Sequence, residues 1–258
     1  DGVDVPRAIE EGILAAIPSN AVATGDFFPE VVMAENNTHE GKTYAVTEKY
    51  GYNTISFDKT KVDPQDMKDL SIIWSDKYAG RIAIYDYYLP VIGLVGLGIG
   101  IDTKDINESN LPAIKEKMFA MKAASKLVGD VVSSQTALAT GEVDILIGGG
   151  EWVTAVLSAE KPNLDWDIPK QGGLRWSQSI GVMADSKKKD LATKFVQYIT
   201  SPEGQAKLAT SSCYWGMPAN EKAGKHLSKA QKAALRWDKQ SDYLSSSQLY
   251  PVPSASMD

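Results

Sequence analysis

With 258 residues, 43% of them hydrophobic and 23% charged, the chain has the composition of an ordinary globular protein. It is long enough for one large domain or two lobes. A net charge of −6 with both signs interleaved argues against nucleic-acid binding, which needs a basic patch to displace counterions from phosphates. The single cysteine, Cys213, excludes an intrachain disulfide and any cysteine-rich metal site, and reads as a small packing residue.

In chain order, the opening DGVDV reads as a short apolar strand, not as a charged-then-apolar leader. An amphipathic helix through Ala8, Ile9 and Ile13 follows, with Gly12 as its stop signal. Residues 20–42 carry little periodicity and read as a surface loop. Tyr44–Val46 and Thr54–Phe57 read as strands separated by a turn, Tyr50-Gly51-Tyr52-Asn53. Asp63–Leu70 reads as a short helix and Gly80–Tyr85 as a strand. Leu89–Leu97 is a buried helix or strand, which periodicity cannot separate. No stretch is long and apolar enough to cross a bilayer.

Asn110–Lys126 predicts a helix with Pro112 in its first turn, where a missing N–H costs nothing. Val143–Ile147 predicts a strand, turned by Gly148-Gly149-Gly150 into a helix over Glu151–Ser158, and Asp165–Ile168 another strand. Ser186 is placed to cap a helix over Lys187–Ile199, whose Leu191, Phe195 and Ile199 form an apolar stripe. Ser201-Pro202-Glu203 is a second helix start: serine N-cap, proline at the first position, acid against the positive end of the dipole. Lys229–Asp238 reads as helical and the last residues as an extended polar tail. Alternating strands and helices indicate an α/β protein with largely parallel sheets.

Four features are candidates for chemistry. The glycines of Gly93–Gly100 do not form a dinucleotide fingerprint and read as close backbone packing. Gly148–Gly150 before Glu151 either presents amides to an anion or is a plain strand-to-helix turn. Tyr85-Asp86-Tyr87-Tyr88 after the strand RIAIY offers a carboxylate among rings, which suits an organic cation. Asp86 could equally cap the next helix. Tyr50, Trp152, Trp176 and Trp215 lie beside glycine-containing turns or strand ends and are candidate ligand contacts, whereas Trp74, Trp166 and Trp237 read as core or rim. The tract Ile168–Asn220 holds Trp176, Gln178, Tyr214 and Trp215 like a scaffold for aromatics. The nucleophile elbow, zinc-protease, Walker and C-x-x-C motifs are all absent. Asp86 and Glu151 as acid and base of a glycosidase-like enzyme is the weaker alternative to binding.

In the order WSDKYAG, RIAIYD, ALATGEVDI, IPKQGGLRWSQS, SPEGQAKLA and GMPAN, together with DGVDV, the chain resembles the periplasmic solute-binding proteins of ABC importers, specifically the spermidine/putrescine-binding group. The resemblance covers nearly the whole chain. It implies a type II periplasmic binding-protein fold, α/β and two-lobed, with ligand clamped in a cleft by hinge closure. It places lobe 1 at 1–52 and 179–223 and lobe 2 at 53–178 and 224–258. The family's opening strand–helix–strand unit has no counterpart before DGVDV, so the chain reads as N-terminally shortened.

Carried over residue by residue, Trp176 matches a cleft tryptophan, Trp215 an aromatic cleft position and Tyr50 the inter-lobe turn. Where polyamine binders place an acid, this chain has Gln178, and the acid pair after the lobe 2 strand is reduced to Asp86. Glu151 is available to replace one of them. The implied function is extracytoplasmic capture of a polyamine such as spermidine or putrescine, or a related small amine, by a periplasmic monomer. It works with membrane permease subunits and needs no cofactor or metal. The ligand set implied is Tyr50, Tyr85, Asp86, Tyr87, Glu151, Trp152, Trp176, Gln178 and Trp215. A binder of another small polar or anionic solute is the rival on the same fold.

Overall fold

A computed structural model describes residues 1–18, 20–211 and 215–252. Cys213 and Tyr214 lie outside the described residues. The elements run α1 (Val5–Glu10), β1 (Leu14–Ala15), α2 (Ala34–Asn37), β2 (Thr38–His39), β3 (Lys42–Thr43), β4 (Ala45–Asp58) and β5 (Ile82–Tyr85). Next come α3 (Tyr88–Gly98), α4 (Leu111–Ala124), β6 (Leu127–Gly129), α5 (Val131–Thr140), β7 (Ile145–Gly149), α6 (Glu151–Leu157) and β8 (Leu164–Asp167). The last are β9 (Gly173–Met183), α7 (Lys189–Thr200), α8 (Pro202–Ala209), β10 (Met217–Pro218), α9 (Lys229–Ala234), α10 (Gln240–Ser246) and β11 (Ser247–Leu249).

The chain forms two compact units, residues 1–51 with 176–238 and residues 52–175 with 239–258. These boundaries differ from the expected ones. Residues 224–238 belong to the first unit, because Trp237 packs edge-on to Phe28 at 5.6 Å and Gln231 donates to Thr210 at 3.0 Å. Trp176 and Gln178 belong to it as well.

In the first unit, β1 pairs antiparallel with the end of β9 (Leu14 opposite Met183), and β10 pairs with the start of β4 (Met217 opposite Tyr50). Gln205 of α8 is wholly buried and ties two segments together. Its amide donates to the Thr47 carbonyl at 3.1 Å and accepts from the Asn220 N–H at 2.7 Å. The helix start at Ser201 is as expected, the hydroxyl accepting from Gly204 N–H at 3.1 Å. Ser186 does not cap α7, which begins at Lys189 after Lys188. The expected apolar stripe of α7 is also not its buried face: Val196 and Thr200 point inward, while Leu191 and Phe195 are 63% and 57% exposed.

In the second unit the strand order is β8-β4-β7-β5-β6. β7, β5 and β6 are parallel, while β4 runs antiparallel to β7 and β8, so the sheet is mixed and not largely parallel. β11 pairs with the start of β9 (Gln248 opposite Leu174). Leu89–Leu97 resolves as helix: every residue of that run is buried in α3. Its glycines serve close packing, since a Cβ at Gly98 would lie 2.6 Å from the Trp74 ring and one at Gly93 2.5 Å from Leu174.

Two further expectations are overturned. The opening DGVDV is not a strand: Gly2–Asp4 is a 3-10 turn that leads into α1, with Pro6 in its first turn. Residues 50–53 are not a turn either. They lie inside the fourteen-residue strand β4, nearly all of it buried, where packing on both faces outweighs the turn propensity of Gly51 and Asn53.

Candidate functional site

In the second unit a group of aromatic residues forms just after β5 and β7, at the strand C-termini where α/β proteins characteristically bind ligands. Tyr85 ends β5, and its ring lies 5.5 Å from Trp152 of α6 and 6.1 Å from Tyr87. Tyr87 in turn meets Tyr88 and Tyr250, each at 5.9 Å and edge-on. Tyr85 and Tyr87 are partly exposed, whereas Trp152 and Tyr250 are buried.

This placement depends on the triple glycine. A Cβ on Gly148 would lie 2.9 Å from that of Tyr85, on Gly149 2.5 Å from the Ser56 hydroxyl, and on Gly150 2.1 Å from the Tyr52 carbonyl oxygen. Gly148 also has φ of 86°, which disfavours any side chain. The run is therefore accounted for by strand-to-helix packing, and α6 spans only seven residues. The anion-cradle reading of these amides gains no support.

Two carboxylates belong to this region. Glu151, at the first position of α6, is wholly buried and accepts from the backbone N–H of Tyr52, its two oxygens at 3.1 and 3.2 Å. Asp86 is exposed, with its N–H donated to the Gly129 carbonyl at 3.0 Å. It does not cap α3, whose N-cap is Tyr87. Asp86, Tyr85 and Tyr88 instead form part of the lining of a groove of about 780 Å³ beside α3 and α4 that is also lined by Glu108.

Sequence reasoning missed several members of the cluster. Tyr250 is brought in from the tail; its hydroxyl donates to Asn53 Oδ1, and Asn53 Nδ2 donates to the Gly148 carbonyl at 2.7 Å. Burial raises the Tyr250 hydroxyl well above its ordinary pKa, helped by Tyr87, Tyr85 and Glu151. Tyr52 is fully buried, stacked on Trp166 at 6.0 Å, and donates to Gln240 at 2.9 Å. No local signal marks these contacts, because their partners lie far apart in the chain.

The first unit brings together three of the expected residues around Gly216. A Cβ there would lie 2.8 Å from the Trp176 ring and 2.9 Å from the Tyr50 carbonyl oxygen, and Trp215 is the preceding residue. Trp176 is 8% exposed, and Tyr50 is fully buried with its ring edge-on to Phe28 at 6.2 Å. Gln178 and Trp215 are partly exposed. Among the described residues no group of three His, Cys, Asp or Glu side chains could hold a metal ion. Nor is any described helix long and apolar enough to cross a membrane.

Residues 1–236 match the family described as bacterial extracellular solute-binding protein. The spermidine/putrescine-binding periplasmic protein of Escherichia coli (strain K12) is 24% identical over 180 residues, covering 66% of this chain and 49% of that protein. The chain thus spans about half the length of the curated relatives it matches. A putative spermidine/putrescine ABC transporter structure from Listeria monocytogenes superimposes with a TM-score of 0.82 at 19% identity, covering 99% of this chain and 78% of that one. A GABA receptor gives 0.75 at 21% identity, covering 94% and 71%. The α/β fold is therefore the type II periplasmic binding-protein fold expected from the resemblance, and the matched family is one of binding proteins, not enzymes. By fold and by a family match over most of its length, the chain belongs to the bacterial extracellular solute-binding proteins.

Proposed function

We propose that the protein is the extracytoplasmic, periplasmic substrate-binding component of an ABC importer, and that it captures a polyamine or related small amine. The observation that carries this reading is the second unit's ring cluster. Tyr85 touches both Tyr87 and Trp152, with the exposed carboxylate of Asp86 between the two tyrosines in sequence and the buried carboxylate of Glu151 next to Trp152 in sequence. Ring faces and carboxylates attract the same partner, a cation, with about 0.5–2 kcal/mol from each well-placed ring. Similarity to the E. coli spermidine/putrescine-binding protein supports the amine class. Trp176, Gln178, Trp215 and Tyr50 of the first unit are proposed as further ligand contacts.

The protein is proposed to act as a monomer that delivers ligand to membrane permease subunits. Gln178 in place of an acid favours a ligand with one cationic centre over a symmetric diamine. Isothermal calorimetry with putrescine, spermidine and a betaine-type amine tests the reading. Saturable one-to-one heat is expected with at least one of them. Heat with none would remove the amine assignment.

A further inference from the structure

We infer that the ligand carries an oxygen acceptor as well as a cationic nitrogen, and that the indole N–H of Trp152 donates to that oxygen. This rests on the amine reading above and narrows it. Trp152 is 5% exposed, and its Nε1 atom is buried without a hydrogen-bond partner. An indole nitrogen is a donor only, so no rearrangement of its own proton can satisfy it. Buried donors in folded proteins are nearly always paired, and an orphan costs free energy until a partner arrives.

The position of the orphan is what links it to ligand. Trp152 follows Glu151 at the start of α6, directly after β7, and its ring leans on Tyr85, the partly exposed last residue of β5. The five-membered edge of the indole turns toward the glycine turn, since Cδ1 would lie 3.4 Å from a Cβ at Gly150. The free donor therefore lies at the glycine turn, on the ring that leans against Tyr85.

The chemistry then discriminates among amines. A protonated diamine such as putrescine has hydrogen-bond donors at both ends and no acceptor, so it leaves the Trp152 N–H unpaired. A monoamine ending in a hydroxyl, carbonyl or carboxylate pairs it. Specificity of this kind comes from the polar group left without a partner in the wrong complex.

Calorimetry with three ligands of nearly equal length tests this: putrescine, 4-amino-1-butanol and 4-aminobutyrate, each against the wild-type protein and Trp152→Phe. At least one oxygen-bearing ligand is expected to bind about tenfold more tightly than putrescine, and the preference is expected to fall below threefold in Trp152→Phe. The phenyl ring keeps the contact with Tyr85 and removes only the donor and part of the volume. Putrescine binding as tightly as both others, or a preference that survives in Trp152→Phe, overturns the inference while leaving the amine reading intact. No binding by any of the three overturns the inference, and the amine reading falls with it only where spermidine and the betaine-type amine also give no heat. Because the wild-type comparison alone can refute the inference, it stands even if the variant folds poorly.

Discussion

Replacing Gly150 with alanine places a methyl carbon 2.1 Å from the carbonyl oxygen of Tyr52 and 3.2 Å from its carbonyl carbon. Both are backbone atoms of the buried strand β4, so no side chain can swing away. Gly150 itself has φ of 166°, an extended conformation open to any residue, which makes the cost purely steric. Relief requires α6 and β4 to separate by roughly 1 Å to restore ordinary packing contact. That movement breaks the hydrogen bond from Tyr52 N–H to Glu151, now at 3.1 Å, and lifts Trp152 away from Tyr85.

Overpacking of this kind costs about 1–3 kcal/mol. A lost hydrogen bond to a buried carboxylate costs about 1.5–3 kcal/mol more. Together they come to about 2.5–6 kcal/mol, a large share of a domain's total stability of about 5–15 kcal/mol. Urea unfolding followed by far-ultraviolet circular dichroism measures this. Gly25→Ala is the control, because a Cβ there meets nothing within 4 Å, and it is expected to stay within about 0.5 kcal/mol of wild type. Equal unfolding midpoints for the two variants would refute the packing account of the glycine run.

Three further outcomes are expected. Gln205→Ala leaves the Thr47 carbonyl and the Asn220 N–H buried without their present partner, and should destabilise the protein by about 2–5 kcal/mol in the same unfolding assay. Asp69 is held well below the usual carboxylate range by hydrogen bonds from Lys170 first, then Gln171 and Ser71. A depressed carboxylate contributes stability above its unfolded pKa of about 3.9 and loses it as pH falls through the folded value. Asp69→Asn should therefore cost about 1 kcal/mol or less near pH 7, as expected for a partly exposed pair. Unfolding curves of variant and wild type should converge in strong acid; divergence there would contradict the assignment. Trp176→Ala should weaken ligand binding at least tenfold in a calorimetric titration, and unchanged affinity would remove Trp176 from the proposed contacts.

Local chemistry in the sequence foretold the elements whose stability is local. α4 begins beside Pro112, α8 begins at the Ser201 cap, and β5 follows Gly80, all within a residue or two of expectation. Reading failed where tertiary packing decides. Gly51 and Asn53 suggest a turn, yet both lie in β4, where burial on two faces holds the strand. β6 and α5 went unread, although Asp130 caps α5 by accepting from Ser133 N–H at 2.7 Å and Gly141 ends it with φ of 76°. That helix presents little amphipathic contrast, which is the signal periodicity relies on.

The candidate site divides in the same way. Tyr85, Asp86, Tyr87, Glu151 and Trp152 were legible because they follow strands that the apolar pattern marks. Tyr250 and Asn53 were not, because a hydrogen bond spanning 197 residues leaves no trace in local pattern. The different settings of Asp86, exposed in the lining of a groove, and Glu151, buried on a backbone N–H, also give the pair no shared acid–base geometry that the sequence could have announced.

Mass spectrometry of the small molecule that co-purifies with the native protein, released by denaturation, decides the ligand's chemical class. A monoamine bearing an oxygen, retained at one per chain, is expected. A retained anion without an amino or ammonium group would contradict the amine reading.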